Sequence, residues 1–369
     1  MKTLLFTTEF PPFSGGIANY YGHLANYWPL NEKLIILDNN QGELISGHGF
    51  FTWRPAFGVL KRKVAKSQID YVLVGQILPL GTVAWWRSFF QPFKYAVFLH
   101  GMDLSSALRF WRKKILAGLI LRRADKIICA NSYVAEKTKE FYPFSADKIA
   151  VVNPGVPAGA PPVSPADLEE LQNSYNLHDK IVLFSLGRLV KRKGVDRTIQ
   201  ALAQIKEPLA SRLVYFIAGV GRDEEYLRHL VPAKLSSKII FLGELSEKEK
   251  WAWLKQSDIF VMPARNINGD FEGFGIVYLE ANLSGKPVIA GRSGGVSDAV
   301  INDYNGLLVD SEDPLNIKDA LIKLAENPEL RRKLGEQGRE RAIKEFNWEK
   351  QSAKLVNIIT NNKEPGSTL

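Results

Sequence analysis

The sequence predicts an α/β protein built from two successive doubly wound units, each a parallel sheet with helices on both faces. Three observations predict it. Short apolar runs alternate with helical segments through both halves of the chain, the pattern of linked βαβ units. Between the halves, Asn153 to Pro165 holds five prolines and two glycines and breaks that rhythm as a linker would. A chain of 369 residues also exceeds the size at which a single core keeps growing.

The first unit opens on a strand, Lys2–Thr8, followed by a helix, Gly16–Tyr27. The start MKTLLFTTEF reads as a buried strand rather than a signal peptide, because its apolar run covers only Leu4 to Phe6 before Glu9 intervenes. Further strands are predicted at Leu34–Leu37, Tyr71–Val74, Tyr95–Leu99, Lys126–Ala130 and Ile149–Val152. Helices at Trp111–Arg123 and Tyr133–Phe141 lie between them. The second unit resumes with the strand Ile181–Ser185 and the helix Val195–Lys206. Strands then recur at Val214–Ala218, Ile239–Leu242, Ile259–Met262, Val288–Ala290 and Gly306–Val309. Domains of 1–160 and 161–347 follow, with the strand C-terminal ends of both expected to face a central cleft. The polar tail 361–369 is expected to be flexible.

Composition narrows the function. The single cysteine, Cys129, excludes an internal disulfide and leaves no cysteine cluster for zinc, and the five histidines are scattered. A reducing compartment is expected. No run approaches the ~20 apolar residues that span a bilayer, so a soluble or peripheral cytoplasmic protein is expected. The net charge of +9 lies entirely in residues 1–160, which hold 19 Lys/Arg against 10 Asp/Glu, while the rest balances at 29 against 29.

The stretch FEGFGIVYLEANLSGKPVIAGRSGG, Phe271 to Gly295, carries the most chemistry. Glu272 precedes a Gly273-Phe274-Gly275 turn, and an apolar helical run then leads to Glu280. A helix starting near Gly275 turns free N–H groups and a positive dipole end toward an anion. Glu280 then lies roughly 7–8 Å along the axis at about 1.5 Å per residue, the reach from a diphosphate to a ribose diol. Glu272 sits on the anion side, where a sugar on that diphosphate would lie.

This pattern resembles glycosyltransferase family 4, whose retaining members carry two Glu at this separation. FPPFSGGIANY (Phe10 to Tyr20), FLHGMDL (Phe98 to Leu104), SLGRLVKRKG (Ser185 to Gly194) and EFNWEK (Glu345 to Lys350) resemble the same family, in its order. The resemblance runs from about Lys2 to Ile359. It implies the GT-B fold, with the last helix, 348–360, packing back onto the first domain.

Each candidate residue has a functional and a bland reading. Gly15 and Gly16 let the backbone approach a diphosphate at a helix start, or form a tight turn with nothing bound. Arg188 and Lys193, at the mouth of a buried strand, stabilise charge developing on the β-phosphate, or belong to a solvated basic loop like their neighbours Lys191 and Arg192. The resemblance implies that His100 contacts the donor sugar; a satisfied structural histidine is the rival. Asp103 is a weaker candidate for sugar or acceptor hydroxyls. Leu245 and Ile276 occupy positions where the family meets the nucleotide, with core packing as the alternative. Gly219-Val220-Gly221 lacks the third glycine of a dinucleotide fingerprint, since position 224 is Glu, and reads as a structural turn. The chain contains no Asp-x-Asp; Asp270-Phe271-Glu272 is the nearest approach. Metal independence is therefore expected, with Arg188 and Lys193 supplying the charge a divalent ion supplies elsewhere.

In the first half, Trp85, Trp86, Phe89, Phe90 and Phe93 stand beside Arg87 and Lys94, with basic clusters at Lys61, Arg62, Lys63 and Lys66 and at Arg112, Lys113 and Lys114. Docking on an anionic membrane leaflet is one reading, and solvated charge over a Trp-containing core the other. No nucleic-acid motif accompanies the charge. The resemblance thus implies a retaining enzyme moving a hexose from a nucleotide-sugar to a lipid-linked or glycan acceptor, by reaction on the donor's front face. The blocks most resemble mannosyltransferases that build phosphatidylinositol mannosides, which favours GDP-mannose over UDP-glucose or UDP-N-acetylglucosamine. A phosphorylase, an epimerase or a catalytically idle binding module on the same fold remain alternatives.

Overall fold

A computed structural model describes residues 1–13, 15–45 and 52–360; the tail 361–369 and Ser14 lie outside the described residues. The chain forms two units, Met1–Pro154 with the C-terminal helix Trp348–Thr360, and Gly155–Asn347. The division falls at Pro154, ahead of the limit at 160 read from the sequence. Its cause is local: Val156 pairs with Asn347, and its N–H donates to the Phe346 carbonyl at 2.7 Å, which ties this stretch to the second unit.

The first unit holds β1 (Lys2–Phe6), β2 (Lys33–Leu37), β3 (Tyr71–Val74), β4 (Lys94–Leu99), β5 (Lys126–Cys129) and β6 (Ile149–Val151). They form a parallel sheet in the order β2-β1-β3-β4-β5-β6. The second unit holds β7 (Ile181–Leu186), β8 (Leu213–Ala218), β9 (Ile239–Gly243), β10 (Ile259–Met262), β11 (Val288–Gly291) and β12 (Gly306–Val309). Its order is β12-β11-β10-β7-β8-β9, again all parallel. The strands are near-continuous apolar runs because helices bury both faces; β3 and β8 are buried at every position.

Each strand order reverses once. The switch lies between β1 and β3 in the first unit and between β7 and β10 in the second. Loops leaving the C-terminal ends of those strands are where a doubly wound sheet binds ligands.

Several helices begin on a proline that the sequence reading passed over: Pro55–Ser67, Pro165–Ser174, Pro314–Ala325 and Pro328–Glu345. Proline suits the first helical turn because its missing N–H is unneeded there. Ser164, Asp313 and Asn327 cap three of them by accepting first-turn N–H bonds. The helix from Val195 ends at Leu202, short of Lys206, as i→i−3 bonds from Gln204 and Ile205 tighten its last turn before Pro208. In the first unit, Trp348 of the C-terminal helix stacks on His23 at 5.3 Å and meets Tyr20 edge-on.

Part of the first unit's surface is apolar and basic together. Trp111, Ile115 and Leu119, one turn apart on the helix Trp111–Arg123, are all exposed, Trp111 at 67%. Trp86, in the helix Leu80–Arg87 that packs against it, is exposed, as are Phe89 and Phe90 just beyond that helix. Cations lie over these and neighbouring rings: Arg112 over Trp111, Lys113 over Phe110, Lys114 over Phe141, Arg122 over Phe144 and Arg123 over Phe89. Phe93, grouped with the surface aromatics from sequence, is instead buried, and Trp85 is half-buried. Among the described residues no helix is long and apolar enough to cross a membrane.

Candidate active site

The second unit's switch point carries the densest charge. After β7, residues 187–194 turn back across the end of the sheet, pinned by backbone bonds from Gly187 to Ala218 and from Leu189 to Val220. Gly219 makes this contact possible, since a Cβ there would lie 2.1 Å from the Gly187 carbonyl oxygen. Gly219-Val220-Gly221 is thus a structural turn beneath the loop that carries Arg188. Asp223 holds the other side by accepting the Lys191 N–H at 2.8 Å.

A second loop, residues 263–275, leaves β10 and runs against the first. The Arg265 N–H donates to the Arg192 carbonyl, and the Arg265 guanidinium clasps buried Asp196 at 3.0 and 2.8 Å. Gly194, at φ 78°, passes under Pro263 where a Cβ would strike the Pro263 carbonyl oxygen at 2.1 Å. Two rigid loops therefore meet at the switch point.

Their side chains converge on Glu272. Lys193 Nζ lies 2.8 Å and Arg192 Nη1 2.6 Å from the same oxygen, Oε2, leaving Oε1 without a described partner. Arg192 also reaches Asp270 with its Nε at 3.0 Å. The expectation that Arg192 is a solvated neighbour of Lys193 fails: the 3₁₀ turn Lys191–Lys193 turns Arg192 inward, while Lys191 stays exposed over the Tyr226 ring. Burial alone would raise the Glu272 pKa, but Lys193 and Arg192 hold it below the ordinary carboxylate value. Arg188 is exposed at the strand mouth, with no side-chain partner among the described residues. It is a free cation beside a neutralised cluster.

The motif helix runs Ile276–Leu283, capped by Gly275 in the left-handed region at φ 77°. Tyr278 fixes its start by donating to the Met262 carbonyl at the end of β10. Gly273, Phe274, Gly275 and Ile276 thus form the helix entry. The Phe274 ring is buried against Phe346, and Ile276 packs on the core, so only backbone groups of this turn are offered to a ligand. Leu245, half-buried after β9, packs on the same core. Glu280, one turn along, is not free: Lys250 Nζ lies 2.8 Å from its Oε1. Burial raises the Glu280 pKa, opposed by the Lys250 charge. Sequence reasoning missed Lys250, though the capping box Ser246–Glu249 places it one turn into the helix Glu247–Gln256.

In the first unit, Gly15 caps the helix Gly16–Asn26 in an extended conformation, and Gly16 opens it with empty space where a Cβ would stand. His100, just after β4, pairs through Nε2 with the Tyr21 hydroxyl at 2.8 Å. That hydroxyl donates its proton to the Gly75 carbonyl, so Nε2 carries the imidazole proton and Nδ1 is left as an acceptor. Burial lowers the His100 pKa to about 4, making the ring neutral at pH 7. Asp103 does not offer both oxygens to hydroxyls. Its Oδ1 accepts from the backbone N–H groups of His100, Gly101 and Leu104, and its Oδ2 is buried without a partner. Burial pushes its carboxyl up to about 6 despite those bonds.

Residues 167–341 match the family model for glycosyl transferases group 1, and residues 32–159 match that for glycosyltransferase family 4. The GDP-mannose-dependent alpha-(1-6)-phosphatidylinositol monomannoside mannosyltransferase of Mycobacterium tuberculosis is 28% identical over 384 residues, with 97% of this chain and 98% of the relative covered. A GDP-mannose-dependent monoacylated alpha-(1-6)-phosphatidylinositol monomannoside mannosyltransferase of Corynebacterium glutamicum is 29% identical, with 97% of each chain covered. Among solved structures, a glycosyltransferase from Rickettsia africae superposes with a TM-score of 0.80 at 19% identity, covering 98% of this chain and 99% of that one. Anabaena HepE in complex with UDP gives 0.77 at 18% identity, covering 98% and 100%. These likenesses bear out the GT-B fold.

Proposed function

The chain is a glycosyltransferase, belonging to glycosyl transferases group 1 and glycosyltransferase family 4, and from that premise we propose that it transfers mannose from GDP-mannose to a hydroxyl of a lipid-linked acceptor with retention at the anomeric carbon. The observation that carries this reading is the convergence of Arg192 and Lys193 on one oxygen of Glu272 at the switch point of the second unit. The fixed carboxylate keeps Oε1 for hydroxyls of the donor sugar. Lys193 and the unpaired Arg188 take the diphosphate, and the entry of the motif helix adds its first N–H groups. Glu280 takes the ribose. Near-full-length similarity to GDP-mannose-dependent enzymes supports this donor over UDP-sugars.

In the transfer, the bond between the anomeric carbon and the β-phosphate oxygen breaks. The acceptor oxygen bonds to the same face of that carbon, and its proton passes to the leaving phosphate. Two cations facing that oxygen stabilise its growing charge more than they stabilise the ground state. Glu272, with Oε2 held by two cations, is a poor nucleophile and a good anchor. The charge supplied by Arg188 and Lys193 makes a divalent ion unnecessary in this reading. In the first unit, neutral His100 offers Nδ1 to a sugar hydroxyl, and the open start of the helix at Gly16 offers N–H groups. The exposed stripe Trp111, Ile115 and Leu119 with its flanking cations matches the chemistry of an anionic membrane surface that presents the acceptor.

A thermal-shift panel of GDP, UDP and ADP and their sugars, with and without magnesium, tests base, sugar and metal together. GDP and GDP-mannose should raise Tm by several degrees at saturation, equally with and without magnesium. A larger shift from a UDP-sugar overturns the donor, and a shift that needs magnesium overturns metal independence.

A further inference from the structure

We propose that Lys250 is a positioning residue for the nucleotide, holding the Glu280 carboxylate ionised and turned so that one oxygen stays open to the ribose diol. This rests on the reading of Glu280 as the ribose ligand. Both side chains are nearly buried, Lys250 at 14% and Glu280 at 12% exposure, and they meet at 2.8 Å through Oε1. Oε2 has no hydrogen-bond partner among the described residues and is not sealed from solvent. A carboxylate this deep is disfavoured as an anion unless a cation sits on it.

Lys250 is itself fixed from three sides. Its helix is anchored by the Ser246–Glu249 capping box, its Nζ also meets Glu247 at 2.9 Å, and it lies over the Trp251 ring. The Glu280 contacts keep Lys250 charged against its own burial. Lys250 and Glu247 are the charged groups acting on Glu280, and Glu247 opposes its ionisation. Lys250 therefore opposes both burial and a like charge, which together still leave the Glu280 carboxyl above its ordinary value. It also fixes which oxygen points away from the helix, which an isolated glutamate on a surface helix would not. A mere strut between the helices Glu247–Gln256 and Ile276–Leu283 would stabilise the fold without favouring one sugar of the nucleotide over another.

Ribose discrimination separates the two roles. Calorimetric dissociation constants of GDP and 2′-deoxy-GDP, with UDP and 2′-deoxy-UDP alongside, are measured for wild type, Lys250→Met, Lys250→Gln, Lys250→Arg and Glu280→Gln. A ribose hydroxyl bonded to a charged group gives the wild type about a tenfold preference for the ribonucleotide. Lys250→Met should lose most of that preference and raise the donor KM about tenfold with kcat within about twofold, and Lys250→Arg should restore it. Lys250→Gln serves the same comparison if the Met variant does not fold. Full ribose preference in Lys250→Met or Lys250→Gln overturns the proposal, even if Tm falls. If Glu280→Gln also keeps the preference, the assignment of Glu280 to the ribose has failed instead. If Glu280→Gln loses it while Lys250→Met keeps it, only the role of Lys250 falls.

Discussion

The two units treat charge in opposite ways at their strand mouths. In the second unit each acidic side chain of the site sits on a cation: Glu272 on Arg192 and Lys193, Asp270 on Arg192, Glu280 on Lys250. In the first unit the same region holds a neutral imidazole, the Tyr21 hydroxyl, and the side chains of Gln76 and Thr8 bonded to one another. Its acidic residues, Glu9 and Asp103, are pushed up by burial and face amide donors rather than cations. The first unit nonetheless carries all the excess positive charge of the chain, with nine cations on the helices Pro55–Ser67 and Trp111–Arg123. Under the proposed function, the second unit places charge against an anionic leaving group, while the first hydrogen-bonds neutral hydroxyls and keeps its cations for a surface.

The sharpest way to break this contrast is to remove a cation from the second unit. Lys193→Ala should lower kcat about 10²–10³-fold, the scale lost with one donor facing a transition-state oxyanion. Stability should change little, because Arg192 stays on Glu272 Oε2 and no buried carboxylate is stranded. Steady-state kinetics beside a thermal melt checks both halves. Near-normal turnover removes Lys193 from the chemistry and blurs the distinction between units.

Arg192→Ala gives a smaller effect with a pH signature. Arg192 and Lys193 together hold the Glu272 pKa below its ordinary value against burial. With Arg192 gone, burial counts for more and the carboxyl protonates at higher pH. The acidic limb of kcat/KM, which in the wild type lies below the usual glutamate range, should therefore move upward. The loss should be about tenfold at pH 7.5 and greater at pH 5.5. His100 contributes no limb between pH 5 and 8, because burial keeps its pKa at about 4. A pH profile parallel to wild type would mean that Arg192 only braces the loop through Asp270.

How much of this was legible in the sequence follows the same physics. The twelve strands among the described residues fall within about two residues of their apolar runs, since a parallel sheet covered on both faces demands continuous apolar sequence. The positions of Arg188 and Lys193 just after a buried strand, and of Glu272 and Glu280 before and within the motif helix, were legible from the apolar runs beside them. Arg192 was not, because nothing in Lys191-Arg192-Lys193 tells which side chain a three-residue 3₁₀ turn directs inward. Lys250 lies thirty residues before Glu280, and only the packing of two helices brings them together. Phe93 failed for the opposite reason: it sits among exposed aromatics in sequence but is covered just before β4.

The smallest effect belongs to the first unit's surface, where the contrast predicts loss of binding without loss of donor chemistry. Trp111→Ala with Leu119→Ser removes two exposed apolar groups from one stripe and leaves Arg112, Lys113, Lys114, Arg122 and Arg123 in place. Neither side chain supports the core, so the melt should not move by more than about a degree. Sedimentation with vesicles of equal phosphatidylcholine and phosphatidylglycerol should show binding weakened about threefold to tenfold, since the remaining cations still attract the leaflet. GDP affinity, set in the second unit, should stay at the wild-type value. Unchanged vesicle binding would assign the aromatics to some other contact. Loss of GDP affinity would show that the two units do not divide their labour as their charges suggest.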